Sequence, residues 1–141
     1  MAEPKYNPTL QDNLDAYNRV LKAIDDNVIS CETSWARPAA AYEVTKQGKP
    51  IRCAIGALLT PAQIADVKRR KANTGAGVYA LAELFGKANI QKVTGLKLAE
   101  GSLMQQAHDG FKTNAEFRKW VAHKAGRIES KLFARAVALA R

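Results

Sequence analysis

The chain has 141 residues, with 22 Lys and Arg against 13 Asp and Glu and a formal net charge of +9. That length fits one domain able to bury roughly two thirds of its unfolded surface without staples, and no apolar run approaches the ~20 residues of a membrane span. The charge favours anionic partners (nucleic acid, an acidic protein surface or a charged small molecule) and says nothing about fold.

The opening residues, Met1-Ala2-Glu3-Pro4-Lys5, are polar and lack the apolar region of a signal peptide. The expectation is therefore a cytoplasmic protein, with Cys31 and Cys53 as free thiols. Residues 1–8, with Pro4 and Pro8 and no periodicity, read as a flexible N-terminal arm. Residues 9–141 read as a single globular domain.

Thr9 is a good N-cap, with Asp12 at the third helical position. Leu10, Leu14, Tyr17, Leu21, Ile24 and Val28 then recur at alternating steps of four and three, which predicts a core helix over 10–28. Residues 29–41, broken by Ser30, Thr33, Ser34 and Pro38, read as a loop with Trp35 packed beneath it.

Tyr42 and Val44, then Ile51, Cys53 and Ile55, alternate across Gly48-Lys49-Pro50, the pattern of two short antiparallel strands. Thr60-Pro61 sets the N-cap and first position of the next helix, with Ile64 and Val67 on its apolar side. Four consecutive cations follow, Lys68-Arg69-Arg70-Lys71, and then a break at Asn73-Thr74-Gly75-Ala76-Gly77. Residues 78–85 predict a short apolar helix ended by Gly86. Val93-Thr94-Gly95-Leu96 reads as a junction, and 96–109 as a helix in which Gly101 is a weak point.

Thr113-Asn114-Ala115-Glu116 is a capping box. Phe117, Trp120, Val121, Ala125, Ile128, Leu132 and Val137 keep helical spacing after it, so the expected helix runs from 113 to about 139.

Cys53-Ala54-Ile55-Gly56-Ala57-Leu58-Leu59, Met104-Gln105-Gln106-Ala107-His108-Asp109 and Trp120 together carry a resemblance. The chain resembles small proteins of phages and bacteria that share C-A-[IV]-G-x-L-[IL] after a tyrosine-containing strand, then L-Q-x-x-H-D, then a Trp-containing helix. The resemblance covers about residues 14–125, with Met104 in place of the leucine. Segment 68–77 is longer and more basic here, and the helix after Trp120 runs further. The family's cysteine before the ribbon turn is replaced by Ala39-Ala40-Ala41-Tyr42. The resemblance implies an α-rich fold with a small ribbon and a phage or mobile-element origin; it supplies no mechanism.

Cys53 and His108 are the candidates for chemistry, because a thiolate is favoured beside a histidine or at a helix start. Asp109, next in sequence, reads as poorly placed to orient His108, since adjacent helical residues diverge. The structural alternative is a buried, inert Cys53 in register with Ile51 and Ile55, and a helix ended at His108-Asp109 by Gly110 as its C′ residue. Cys31, Cys53, His108 and His123 match no metal-ligand spacing, and Gly75-Ala76-Gly77 lacks the ending of a phosphate loop. Neither metal nor cofactor is expected.

The binding candidates are Lys68, Arg69, Arg70 and Lys71, and the stripe Arg127, Lys131 and Arg135, whose spacing of four puts them on one side of a helix. No helix-turn-helix or aromatic stacking platform accompanies them, and a solvated helix face is the alternative reading of each.

The expected fold is α+β and predominantly α-helical: about five helices around a short two-stranded antiparallel ribbon. The expected function is that of a phage or prophage accessory protein that binds a host macromolecule stoichiometrically, in the host bacterial cytoplasm, and so inhibits a defence or metabolic system. A nucleic-acid binder using basic helix faces is the alternative, and a cysteine-dependent enzyme the second alternative. The partner is a host protein or nucleic acid, with no membrane; a homo-oligomer stays open.

Overall fold

The computed structural model describes residues 6–30, 43–46, 48–69 and 77–141. Cys31, Trp35 and the glycine break up to Ala76 lie outside these, as do Arg70 and Lys71. The described chain is predominantly helical: α1 (Leu10–Asp25), α2 (Pro61–Arg69), α3 (Val78–Phe85), α4 (Lys87–Thr94), α5 (Leu98–Gly110) and α6 (Asn114–Ala140). Between α1 and α2 come β1 (Glu43–Lys46), β2 (Lys49–Arg52) and a 3-10 turn, Gly56–Leu58.

Local chemistry starts three of the helices. The Thr9 hydroxyl accepts from the Asp12 N–H at 3.1 Å while the Asp12 carboxylate accepts from the Thr9 N–H at 2.9 Å, a closed capping box. Thr60 and Gln63 exchange the same pair of bonds, at 3.0 and 3.1 Å, at the start of α2. Thr113 accepts from the Glu116 N–H at 3.2 Å at the start of α6. The helix α4 was not expected; its start, Gly86, offers no side-chain cap, and its eight residues are too few for a periodicity to stand out.

Helices α1 and α6 pack antiparallel. Arg118, near the start of α6, grips Asp25 at the end of α1 through two bonds of 2.7 and 3.0 Å. Further along, Tyr17 meets Trp120 edge-on with ring centroids 6.4 Å apart. Phe117, Val121 and Ala125 close over Ala16, Tyr17, Val20 and Ile24 in one core cluster. Complete burial of a side chain such as Phe117 contributes about 3 kcal/mol.

The buried line of α1 is rotated from the expected one. Asn13, Ala16, Tyr17, Val20 and Ile24 are buried, whereas Leu10, Leu14 and Leu21 are only half-buried. The reason is a second neighbour on the Asn13 side: the Asn13 amide donates to the Gly95 carbonyl at 2.6 Å. Gly95 ends α4 with φ +76°, and a Cβ there would lie 2.6 Å from the Asp12 carbonyl oxygen. Only glycine allows both the left-handed backbone and this approach.

Residues 53–59 stand between two cores. Ala54 and Leu58 join the α1–α6 cluster, while Cys53, Ile55 and Leu59 join a second one with Ile64, Leu81 and Ile90. This stretch, rather than the ribbon, is the centre of the packing. In the ribbon, β1 and β2 pair antiparallel with Val44 opposite Ile51. Lys49 and Pro50 of β2 are exposed, and Cys53 and Ile55, expected as strand residues, lie beyond its end and before the 3-10 turn. Gly101, expected as a weak point of α5, is a contact point: a Cβ there would meet Val78 at 3.3 Å and Ile55 at 3.5 Å.

Of the expected arm, 1–5 lie outside the described residues. Tyr6 is tied down at both ends, its hydroxyl donating to Asp12 at 2.9 Å and its carbonyl accepting from Gln91 at 2.6 Å.

Candidate functional site

Two places gather functional side chains. The first is the junction of the two motifs, fifty residues apart in sequence. The Ile55 N–H donates to Gln105 Oε1 at 3.1 Å. The Gln105 amide nitrogen donates to Asp109 Oδ1 at 2.9 Å and lies 3.3 Å from His108 Nδ1. His108 Nε2 is 3.0 Å from the Ser30 carbonyl oxygen, and the ring stands edge-on to Phe117 with centroids 5.5 Å apart. A carbonyl only accepts, so Nε2 carries a proton. In the neutral ring Nδ1 is then an acceptor facing the Gln105 amide.

Asp109 Oδ1 also lies 3.1 Å from His108 Nδ1, closer than adjacent helical positions suggest. With Nδ1 an acceptor in the neutral ring, however, no hydrogen bond joins the two, and the ring is held by Ser30 and Gln105. The two Cα–Cβ bonds diverge, but both side chains fold back on the last turn of α5, where Gln105 spans them. Gly110 is not a left-handed C′ residue. The helix runs through it and ends at Phe111, whose backbone is extended.

This network holds backbone. Three successive carbonyls leaving α1 are each taken by a different element. Val28 accepts from the Arg52 N–H at 2.7 Å, Ile29 from the Asn114 amide at 2.9 Å, and Ser30 from His108. None of Asn114, Ser30 and Gln105 was assigned this role from the sequence; Gln105 stood there only as one residue of the stretch 104–109.

Cys53 is 4% exposed, and its sulfur accepts from the Gly56 N–H at 3.3 Å. Burial pushes the thiol up to about 12 against an ordinary 9.0, outweighing the Gly56 bond, and the Asp109 charge adds to the rise. The thiol is therefore protonated near neutral pH, and His108, 1% exposed, has its Nε2 committed to Ser30. Such a pair is not arranged as a nucleophile and base open to substrate. Among the described residues no three His, Cys, Asp or Glu side chains gather into a metal-ligand set.

The second place is the distal half of α6. At 1.5 Å per residue this helix is about 40 Å long and α1 about 24 Å. With Arg118 set against Asp25, the last turns of α6 overhang the start of α1. Arg127, Lys131 and Arg135 are all exposed along one stripe there. Phe133 is 72% and Leu139 88% exposed, and Val137, expected as a core position, is exposed as well. The apolar spacing continues past Leu132, but the helix that would cover it has ended.

The other expected cluster is divided. Arg69 is exposed and ion-paired with Asp66, one turn back on α2. Arg70 and Lys71, and the Lys68 side chain, fall outside the described residues. Helix α2 belongs to the second core and α6 to the first, so nothing described joins these basic groups into one surface.

Among the described residues no helix is long and apolar enough to cross a membrane. No family model matches the chain, and neither a curated protein nor a solved structure is similar to it.

Proposed function

We propose that this protein is a binding protein of phage or prophage origin that acts by stoichiometric association with a host macromolecule, and that the overhanging end of α6 is its recognition element. The observation that carries this reading is the exposure, on one helix end, of Phe133 and Leu139 together with Arg127, Lys131 and Arg135. Exposed large apolar side chains grouped beside a charged face are characteristic of interaction surfaces. The buried, protonated Cys53 supports a binding role over cysteine chemistry. The phage origin rests on the motif resemblance alone, and inhibition of a defence or metabolic system is the outcome such binding would have.

A second reading, nucleic-acid binding, is favoured by the four-residue spacing of Arg127, Lys131 and Arg135, which suits contact with successive phosphates. Recovery of tagged protein from bacterial lysate, with and without nuclease, separates the two. One protein retained in near-equal amount despite nuclease supports the proposal. Many nucleic-acid-associated proteins, all lost on nuclease treatment, would replace it with the second reading.

A further inference from the structure

The end of α6 carries an apolar surface and a stripe of cations that border each other. Phe133, Val137 and Ala140 follow at steps of four and three, so they share one side. Arg127, Lys131 and Arg135 follow at steps of four on another, about 150° away around a helix of 3.6 residues per turn. Leu132, Ala136 and Leu139 carry the apolar surface round the core-facing side until it borders the cations, with Leu139 about 40° from Arg135. From 126 onward the segment carries the cations Arg127, Lys131, Arg135 and Arg141 against the single acid Glu129.

A binding partner has to suit both sides. Nucleic acid would satisfy the cations and leave Phe133, 72% exposed, and Leu139, 88% exposed, in water. A second copy of this chain offers the apolar surface but brings the same stripe of cations and the same net charge of +9. A protein groove with an apolar floor and an acidic rim complements both.

We infer that α6 is the inserted helix of a helix-in-groove complex. Phe133, Ala136 and Leu139, at steps of three on one side, enter an apolar groove on a partner protein, and Arg135, about 100° around the helix from Ala136, meets Asp and Glu side chains along its rim. This rests on the stoichiometric-binding reading and adds to it the segment used and the chemistry of the partner's site.

The test places a photo-crosslinking phenylalanine analogue at position 133 of the full chain in bacterial cells, with a control at Tyr79, which is 54% exposed on α3. The expected result is one dominant protein adduct from position 133 and none from 79, unchanged by nuclease. The adduct maps to a peptide carrying Asp or Glu beside apolar residues. With the purified pair, Leu139→Asp should weaken binding about tenfold, the loss of one buried anchor. Arg135→Glu should weaken it several-fold and flatten its salt dependence. Adducts with nucleic acid, lipid or a second copy would overturn the inference. So would a mapped peptide without acidic residues, or affinity untouched by both variants. A stoichiometric protein joined only through position 79 would leave the binding function standing and remove this inference; no stoichiometric partner at all would remove both.

Discussion

The His108 ring closes over the Ser30 carbonyl at 3.0 Å, the last of three successive carbonyls, after those of Val28 and Ile29, that other elements fasten where the chain leaves α1. A histidine that sequence alone offers as a general base is thus a clasp on the chain where it leaves α1. Replacing it with Ala removes the clasp and opens a cavity beside Phe117. The expected cost is about 2–4 kcal/mol in thermal or denaturant unfolding. His108→Gln, which keeps a donor, should cost less. Equal stability of His108→Ala and the parent would contradict the role.

Gln105 offers a sharper comparison, because its two amide atoms do different work. Gln105→Ala leaves the fully buried Ile55 N–H without its acceptor and should cost about 1–3 kcal/mol. Gln105→Glu keeps an acceptor for Ile55 but sets a second carboxylate beside Asp109. It should therefore lose stability as pH rises through the carboxylate range, whereas Gln105→Ala should show no such pH dependence. Chemical denaturation at pH 4 and pH 7 distinguishes the two.

Gly95 should not tolerate a side chain. Gly95→Ala places a Cβ 2.6 Å from a backbone oxygen of α1 at φ +76°. Backbone cannot step aside as a side-chain tip can, so a loss of about 2 kcal/mol or more is expected. Gly48, with φ +77° but open space around it, should show only the smaller conformational cost on the same change.

The pH dependence has a defined sign at both ends. Cys53 holds its proton up to about 12 in the folded protein, against 9.0 for an ordinary thiol. Between those values the unfolded chain binds fewer protons than the native one. Stability that is fully present below pH 9 is therefore lost as pH rises toward 12. Burial raises Tyr17 as well, which extends the loss in the same direction. In acid, the Thr9 N–H and the Tyr6 hydroxyl hold Asp12 below its ordinary value, and Arg118 does the same for Asp25. Their contribution is present above the ordinary carboxylate range and fades as pH falls through the lowered values. In a Cys31→Ser background Cys53 should resist thiol reagents at pH 7.5 until the protein unfolds; rapid labelling of the native state would contradict its burial.

The caps were legible in the sequence because a hydroxyl and a carboxylate or amide three residues apart have one local use. Thr9 does it in full. Thr113 caps through its hydroxyl, but the Glu116 carboxylate accepts from that hydroxyl rather than closing the expected box. Thr60 was legible through the Pro61 that follows it. The ribbon was expected at the centre of the packing, and the structure puts the stretch 53–59 there, dividing two cores, since alternation does not say what lies on each side. The phase of α1 was misread because leucines outweigh Asn13, which is buried for a hydrogen bond that only tertiary structure supplies. The overhang of α6 could not be read from its own residues. Its spacing stays regular past Leu132, and exposure there follows from the shorter length of α1.

The most direct test of the account compares recovery of a bound partner by the full chain and by a chain ending at residue 132, each from the same nuclease-treated lysate. The truncation removes Phe133, Arg135, Val137 and Leu139 and leaves the buried core of α6 in place. The account predicts that a stoichiometric partner is retained by the full chain and lost from the shorter one, while the two melt within a few degrees of each other. A partner bound equally by both, at unchanged stability, would contradict α6 as the recognition element.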